Sequence, residues 1–126
     1  MVRVKSTDEA SPASVSIGKQ LKGHQSEQAA LDYFQYELSG YELLAQNQRV
    51  IGVEVDLLFQ KAGVIHVVEV KTYREGFPLI SKTQLKRLKR VAVALSSRHR
   101  SSVRLHLVSV ETQAVLTVHW DIGDEV

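Results

Sequence analysis

Val53-Glu54-Val55-Asp56-Leu57-Leu58-Phe59-Gln60 is followed, after Lys61, Ala62 and Gly63, by Val64-Ile65-His66-Val67-Val68-Glu69-Val70-Lys71-Thr72. Both runs are rich in β-branched and aromatic residues and a glycine-containing turn separates them, so together they predict a β-hairpin. Side chains alternate with a period of two along a strand. Ile65, Val67, Glu69 and Lys71 therefore share one face of the second strand, which changes from apolar to charged toward its C-terminal end, while His66, Val68 and Val70 line the other. Glu54, Asp56 and Leu58 likewise share a face of the first strand. A two-residue turn at Ala62 and Gly63 pairs positions whose numbers sum to 125, setting Asp56 opposite Glu69 and Glu54 opposite Lys71. A four-residue loop from Lys61 to Val64 gives the same register, whereas a three-residue loop moves Asp56 to the wrong face.

Opposed residues of an antiparallel pair have Cβ atoms about 5 Å apart, and like charges there destabilise the pair. Glu54, Asp56 and Glu69 carry three negative charges and Lys71 one positive, a remainder that suits one divalent cation. Oxygen ligands favour Mg²⁺, and Mn²⁺ also fits. The alternative is a carboxylate cluster satisfied by Lys71 and water with one carboxyl kept protonated.

Outward from the hairpin, Glu27, Ala30, Leu31, Phe34 and Leu38 recur at helical spacing, and Gly40 supplies a C-terminal stop for a first helix. A short strand follows from Tyr41 to Gln46, with a turn or bulge from Asn47 to Gly52 leading into the hairpin. Beyond it, Gly76 and Pro78 break the chain, and Ser81, Leu85, Leu88, Val91, Ala92 and Leu95 mark a second amphipathic helix. Two more strands, Val103 to Val110 and Val115 to Trp120, close the domain. The order helix, three strands, helix, two strands predicts an α/β fold with a mixed sheet flanked by helices, the second helix serving as a parallel crossover. Residues 1 to 22 lack sustained periodicity and read as a flexible N-terminal arm ahead of one domain over residues 23–126.

A chain of 126 residues, 44% hydrophobic and 24% charged, is the right size for one hydrophobic core. With no cysteine, thiolate zinc sites and disulfides are excluded, and a reducing cytoplasm is the expected compartment. No apolar run reaches membrane-spanning length, so no membrane partner is expected. The net charge of +2 conceals a polarity: Gly76 to Val110 contains no Asp or Glu but holds Lys82, Lys86, Arg87, Lys89, Arg90, Arg98, Arg100 and Arg104, half of the 16 basic residues. That stretch is either a basic face beside an acidic pocket or a solvated helix surface. The five histidines, His24, His66, His99, His106 and His119, form no pair at metal-binding spacing and read as structural or exposed.

The residues Gly23 to Glu27, Gly40-Tyr41, Asn47, Glu54-Val55-Asp56-Leu57-Leu58 and Val68-Glu69-Val70-Lys71-Thr72 resemble the YraN family of small bacterial proteins. That family lies within the PD-(D/E)XK nuclease superfamily, which also contains Holliday junction resolvases. The resemblance covers residues 23–95 and departs from the family pattern at Ser26 and Val53, where glycines are usual. It implies a restriction-endonuclease-like core and a Mg²⁺- or Mn²⁺-dependent endonuclease acting on nucleic acid, DNA above all, in structured or branched form. Asp56 and Glu69 would be metal ligands, with the Val70 carbonyl a third; Lys71 would position the attacking water or stabilise the developing charge. Glu27 would bind the metal or its water, although an acidic residue in a first helical turn is also favoured by the helix dipole. Lys82, Gln84, Lys86, Arg87, Lys89 and Arg90 would contact the nucleic-acid backbone, although for Gln84 the preferred reading is its part in a Ser81–Gln84 capping box. A catalytically inactive binding or assembly module on the same fold is the rival reading, and a homodimer is compatible with either.

Overall fold

The computed structural model describes residues 3–5, 23–76, 80–112 and 114–124. A six-stranded sheet runs in the order β1-β6-β5-β4-β3-β2, where β1 is Arg3–Lys5, β2 Glu42–Val50, β3 Val53–Lys61, β4 Val64–Thr72, β5 Val103–Thr112 and β6 Val115–His119. Helix α1, Gly23–Asp32, covers one face and helix α2, Lys82–His99, the other. The sheet is mixed: β4 and β5 pair in parallel, as do β1 and β6, and the remaining neighbours are antiparallel. Residues 3–5 are thus a short edge strand, not part of an irregular arm; the rest of the expected arm lies outside the described residues.

The hairpin forms with the predicted turn and register. Ala62 and Gly63 both take positive φ, +50° and +77°, as a two-residue type I′ connection requires, and Lys61 faces Val64. From there the pairing runs to Leu57 opposite Val68, where the β3–β4 ladder ends. Asp56–Glu69 and Glu54–Lys71 are therefore not ladder pairs. Strand β4 instead continues its pairing with β5 as far as Thr72, while β3 peels away. On its other side β3 pairs with β2 through Gln46–Leu57 and Gln48–Val55, and Asn47 between them sits at φ +50°. This left-handed residue lets β2 run through to Val50, longer than the strand predicted up to Gln46, and leaves Ile51 and Gly52 as the whole turn.

Two buried layers result. Ala29, Ala30, Leu31 and Phe34 pack on Leu57, Phe59, Val68, Val70 and Val108, with Phe34 stacked on Phe59 at 4.9 Å between ring centroids. On the opposite face Leu88, Val91 and Leu95, spaced along one stripe of α2, pack on Leu58, Ile65, Val67, Leu105 and Leu107. Burying side chains of this size contributes about 1.5–3 kcal/mol each. Val55 belongs to the α2 layer and Leu57, two residues on, to the α1 layer, so the simple alternation fails at Asp56. At this point β3 loses its pairing with β4 but keeps its pairing with β2, at the residue that carries the charge.

Helix α1 ends sooner than Gly40. After Asp32 the chain widens into a π-helical turn, Tyr33–Glu37, closed by the Leu38 N–H donating to the Tyr33 carbonyl at 3.1 Å, and Gly40 follows at φ +84°. Helix α2 begins as expected: the Gln84 N–H donates to Ser81 Oγ at 3.1 Å, and the Ser81 N–H donates to Gln84 Oε1.

Candidate active site

The fork between β3 and β4 holds the two central carboxylates. With the ladder ended, the Val70 N–H has no strand partner on that side and donates to Asp56 Oδ2 at 2.8 Å. Asp56 is thereby held by the backbone of the strand that carries Glu69 and Lys71. Glu69 hydrogen-bonds to Asp56, and its pKa is pushed up to about 9, first by burial, then by the hydrogen bond and charge of Asp56; Lys71 opposes the rise. Without a cation the pair therefore holds a proton at neutral pH.

Glu27, on α1, approaches from the other side of the sheet. Its pKa is raised by burial and next by the negative charge of Asp56, while a hydrogen bond to Asn47 acts in the opposite direction. Ser26, buried beside it, bonds through Oγ to Thr72 Oγ1 at 2.6 Å, tying the start of α1 to the residue after Lys71. The serine found where the resembled family has glycine is thus a link between two halves of the site.

A cleft of about 440 Å³ opens over this fork, lined by Asp56, Glu69, Val70 and Lys71 from the strands, Glu54 from β3, and Gln84, Arg87 and Leu88 from α2. Of the residues expected to contact nucleic acid, Gln84 and Arg87 reach the cleft; Lys82, Lys86, Lys89 and Arg90 lie on the exposed surface of the same helix. Gln84 serves both readings, since its side chain closes the capping box and it also lines the cleft. Arg49, from the end of β2, lines the cleft as well. Sequence reasoning missed Arg49 because it lies outside the basic stretch and reaches the site only through the β2–β3 turn. Asn47 was visible as a motif residue, but its bond to Glu27 depends on the packing of α1 against the strands.

The donor set suits a hard divalent cation. Among the described residues no three His, Asp or Glu side chains converge as a ready metal cage. Asp56 and Glu69 provide two carboxylates, and Mg²⁺ commonly takes one or two from a protein while keeping several waters. Glu27 stands near enough to feel Asp56 yet outside such a group, which fits contact through water better than direct ligation.

Among the described residues no histidine lines the cleft, although His24 is near enough to Glu27 to oppose the burial-driven rise in the pKa of that carboxyl. His66 Nδ1 and His106 Nε2 lie 2.8 Å apart on the α1 side of the sheet, with both rings buried. The Asp121 N–H donates to His106 Nδ1 at 3.0 Å, so Nε2 of His106 carries the proton and donates to His66. Burial, then the neighbouring His66, lowers the pKa of His106 to about 4. Forty residues separate the two rings, and the parallel β4–β5 register is what brings them together.

Comparison with known proteins gives the family and the fold. Residues 26–110 match the model of the family described as "Uncharacterised protein family UPF0102". The chain belongs to the UPF0102 family. A UPF0102 protein of Thermus thermophilus is 40% identical over 95 residues, covering 71% of this chain and 83% of its own. Another, from Symbiobacterium thermophilum, is 36% identical over 97 residues, covering 71% and 80%. Among solved structures, a repair endonuclease from Pyrococcus abyssi superposes with a TM-score of 0.52 at 19% identity, covering 76% of this chain and 43% of that one. The EndoMS protein in a complex with double-stranded DNA gives a TM-score of 0.52 at 22% identity, covering 80% and 43%. The UPF0102 chain thus has the restriction-endonuclease-like fold, and it spans less than half the length of these two structural neighbours. No described helix is long and apolar enough to cross a membrane.

Proposed function

We propose that this UPF0102 protein is a divalent-metal-dependent endonuclease that hydrolyses phosphodiester bonds in structured or branched DNA. The observation that carries the reading is the Asp56–Glu69 carboxyl pair with Lys71 beside it, at the base of a cleft walled by Arg87 and Gln84. The fold shared with a repair endonuclease and with a DNA-bound EndoMS supports it.

Asp56 and Glu69, with the Val70 carbonyl, would hold Mg²⁺ or Mn²⁺. Bound there, the cation supplies Lewis-acid polarisation of a phosphoryl oxygen and lowers the pKa of a coordinated water. The protein's own groups do the rest. Val70 N–H fixes the Asp56 carboxylate, so that one ligand is oriented before substrate arrives. Lys71 donates from its ammonium toward the attacking oxygen or the charge growing on the phosphate. Arg87 binds a backbone phosphate through paired N–H donors, and Gln84 adds a neutral donor beside it. Glu27, steadied by Asn47, orders water at the edge of the carboxylate pair.

A cleavage panel of single-stranded, duplex, flap and four-way-junction DNA with Mg²⁺, Mn²⁺ or EDTA tests this reading. Metal-dependent cleavage that disappears in Asp56→Ala is the expected result. Binding without cleavage in every condition would instead assign the chain to an inactive DNA-binding module.

A further inference from the structure

The turn between β2 and β3 stands at the mouth of the cleft and has an unusual composition. Val50 faces Val53 across it, so Ile51 and Gly52 alone make the connection, both at positive φ, +45° and +79°. Such a turn ordinarily carries Asn, Asp or Gly at both central positions, and a β-branched residue with positive φ is a steric outlier. The other two-residue turn, Ala62–Gly63 at the far end of β3, places only a methyl group there. Ile51 is also 55% exposed, so neither burial nor packing accounts for it.

The stem beneath it is firmly seated: Val50 and Val55 are buried in the α2-side core, and Val53 packs against that core. Arg49 Nη1 donates to the Gly52 carbonyl at 3.2 Å, tying the two sides of the turn. Arg49, Gly52 and Val53 line the same cleft as Asp56 and Glu69, so the exposed Ile51 sits on an anchored tip at the rim of that cleft, one strand segment away from the carboxylate pair. Arg49 retains further guanidinium N–H donors for a phosphate. An apolar side chain on a rigid tip, flanked by a cation, is the arrangement by which proteins enter a base stack while holding the adjacent backbone.

We propose that Ile51 is an apolar wedge that enters the base stack of DNA lying across the cleft, with Arg49 on the neighbouring phosphate, and so selects DNA with a locally unstacked step over a fully paired duplex. This rests on the nuclease reading for its substrate class. A mismatch or branch has already lost stacking that an intact duplex must give up, which makes insertion cheaper there.

Ile51→Asn tests the wedge without endangering the fold, since Asn tolerates the left-handed conformation and the variant should melt a few degrees higher than the wild type. Binding is measured by fluorescence anisotropy in EDTA and in Ca²⁺, comparing a fully paired duplex with the same duplex carrying one mismatch or a branch, and 2-aminopurine beside the disrupted step reports unstacking. The wild type should prefer the disrupted duplex by about tenfold or more and raise the 2-aminopurine signal. Ile51→Asn and Ile51→Gly should lose both effects while keeping the affinity for intact duplex. Variants that discriminate like the wild type, or a wild type that does not discriminate, overturn the wedge even if the protein cleaves DNA. Discrimination that is lost in the variants of a protein that cleaves nothing upholds the wedge and overturns the nuclease reading. A wild type that binds no DNA overturns both.

Discussion

Replacing Glu69 by Gln should make the metal-free protein more stable at neutral pH while abolishing its cleavage. In the fold Glu69 holds its proton to about pH 9, against 4.5 for the ordinary carboxyl, because burial and the adjacent Asp56 disfavour its charge. Since the folded value is raised, the contribution of the neutral group is fully present below pH 4.5 and is lost as pH rises toward about 9. Between pH 4.5 and 7 the unfolded chain releases this proton and the folded chain keeps it, which at 1.36 kcal/mol per pH unit removes about 3 kcal/mol of stability. Glutamine keeps a neutral hydrogen-bonding group at every pH, so Glu69→Gln should remove this slope and gain about 3 kcal/mol over the wild type between pH 4.5 and 7. Urea unfolding of both proteins in EDTA at several pH values measures the difference, which cancels titrations common to the two. Parallel pH dependence in wild type and variant would refute the assignment of a shared proton to this pair.

Mg²⁺ or Mn²⁺ should raise the melting temperature of the wild type, by the equivalent of about 1.4–2.7 kcal/mol at 10 to 100 times the dissociation constant; an equal rise in Asp56→Asn would place the cation elsewhere. Lys71→Ala should lose single-turnover cleavage and keep most DNA binding, whereas Arg87→Ala should weaken binding across sequences and reduce the slope of log K against log salt by about one. Cleavage by Lys71→Ala at the wild-type rate would remove that lysine from the chemistry. His106, held down to about pH 4 from 6.5 by burial, contributes stability that is present above pH 6.5 and lost as pH falls through 4. Unfolding of wild type and His106→Gln between pH 7 and 4 should therefore diverge by up to about 3 kcal/mol, with the wild type showing the steeper acid loss.

Strand and helix order was legible because the signals were local. The two apolar runs and the Ala-Gly between them specified the β3–β4 turn and register, and Ser81 with Gln84 marked the start of α2. Harder to read was the stretch from Asn47 to Gly52, where turn-forming residues suggested a turn or bulge over its whole length. A single left-handed Asn inside a strand and a tight turn containing Ile produce the observed strand instead, and neither follows from propensity. The basic stretch was visible as charge, but which of its members face the cleft depends on the rotation of α2, set by Leu88, Val91 and Leu95 packing into the sheet.

By itself the sequence determined the turn and register of one hairpin, and so put Asp56 on the strand beside the one that carries Glu69 and Lys71. Tertiary structure decided what that proximity means. It ended the ladder at Leu57 and Val68, so that the Asp56 carboxylate took the Val70 N–H, and it buried Glu69 deeply enough to keep a proton. It also set Glu27, Asn47, Arg49 and Arg87 around the pair and placed His66 against His106. Those neighbours come from separate elements, and local patterns cannot specify contacts that arise only when the helices pack on the sheet.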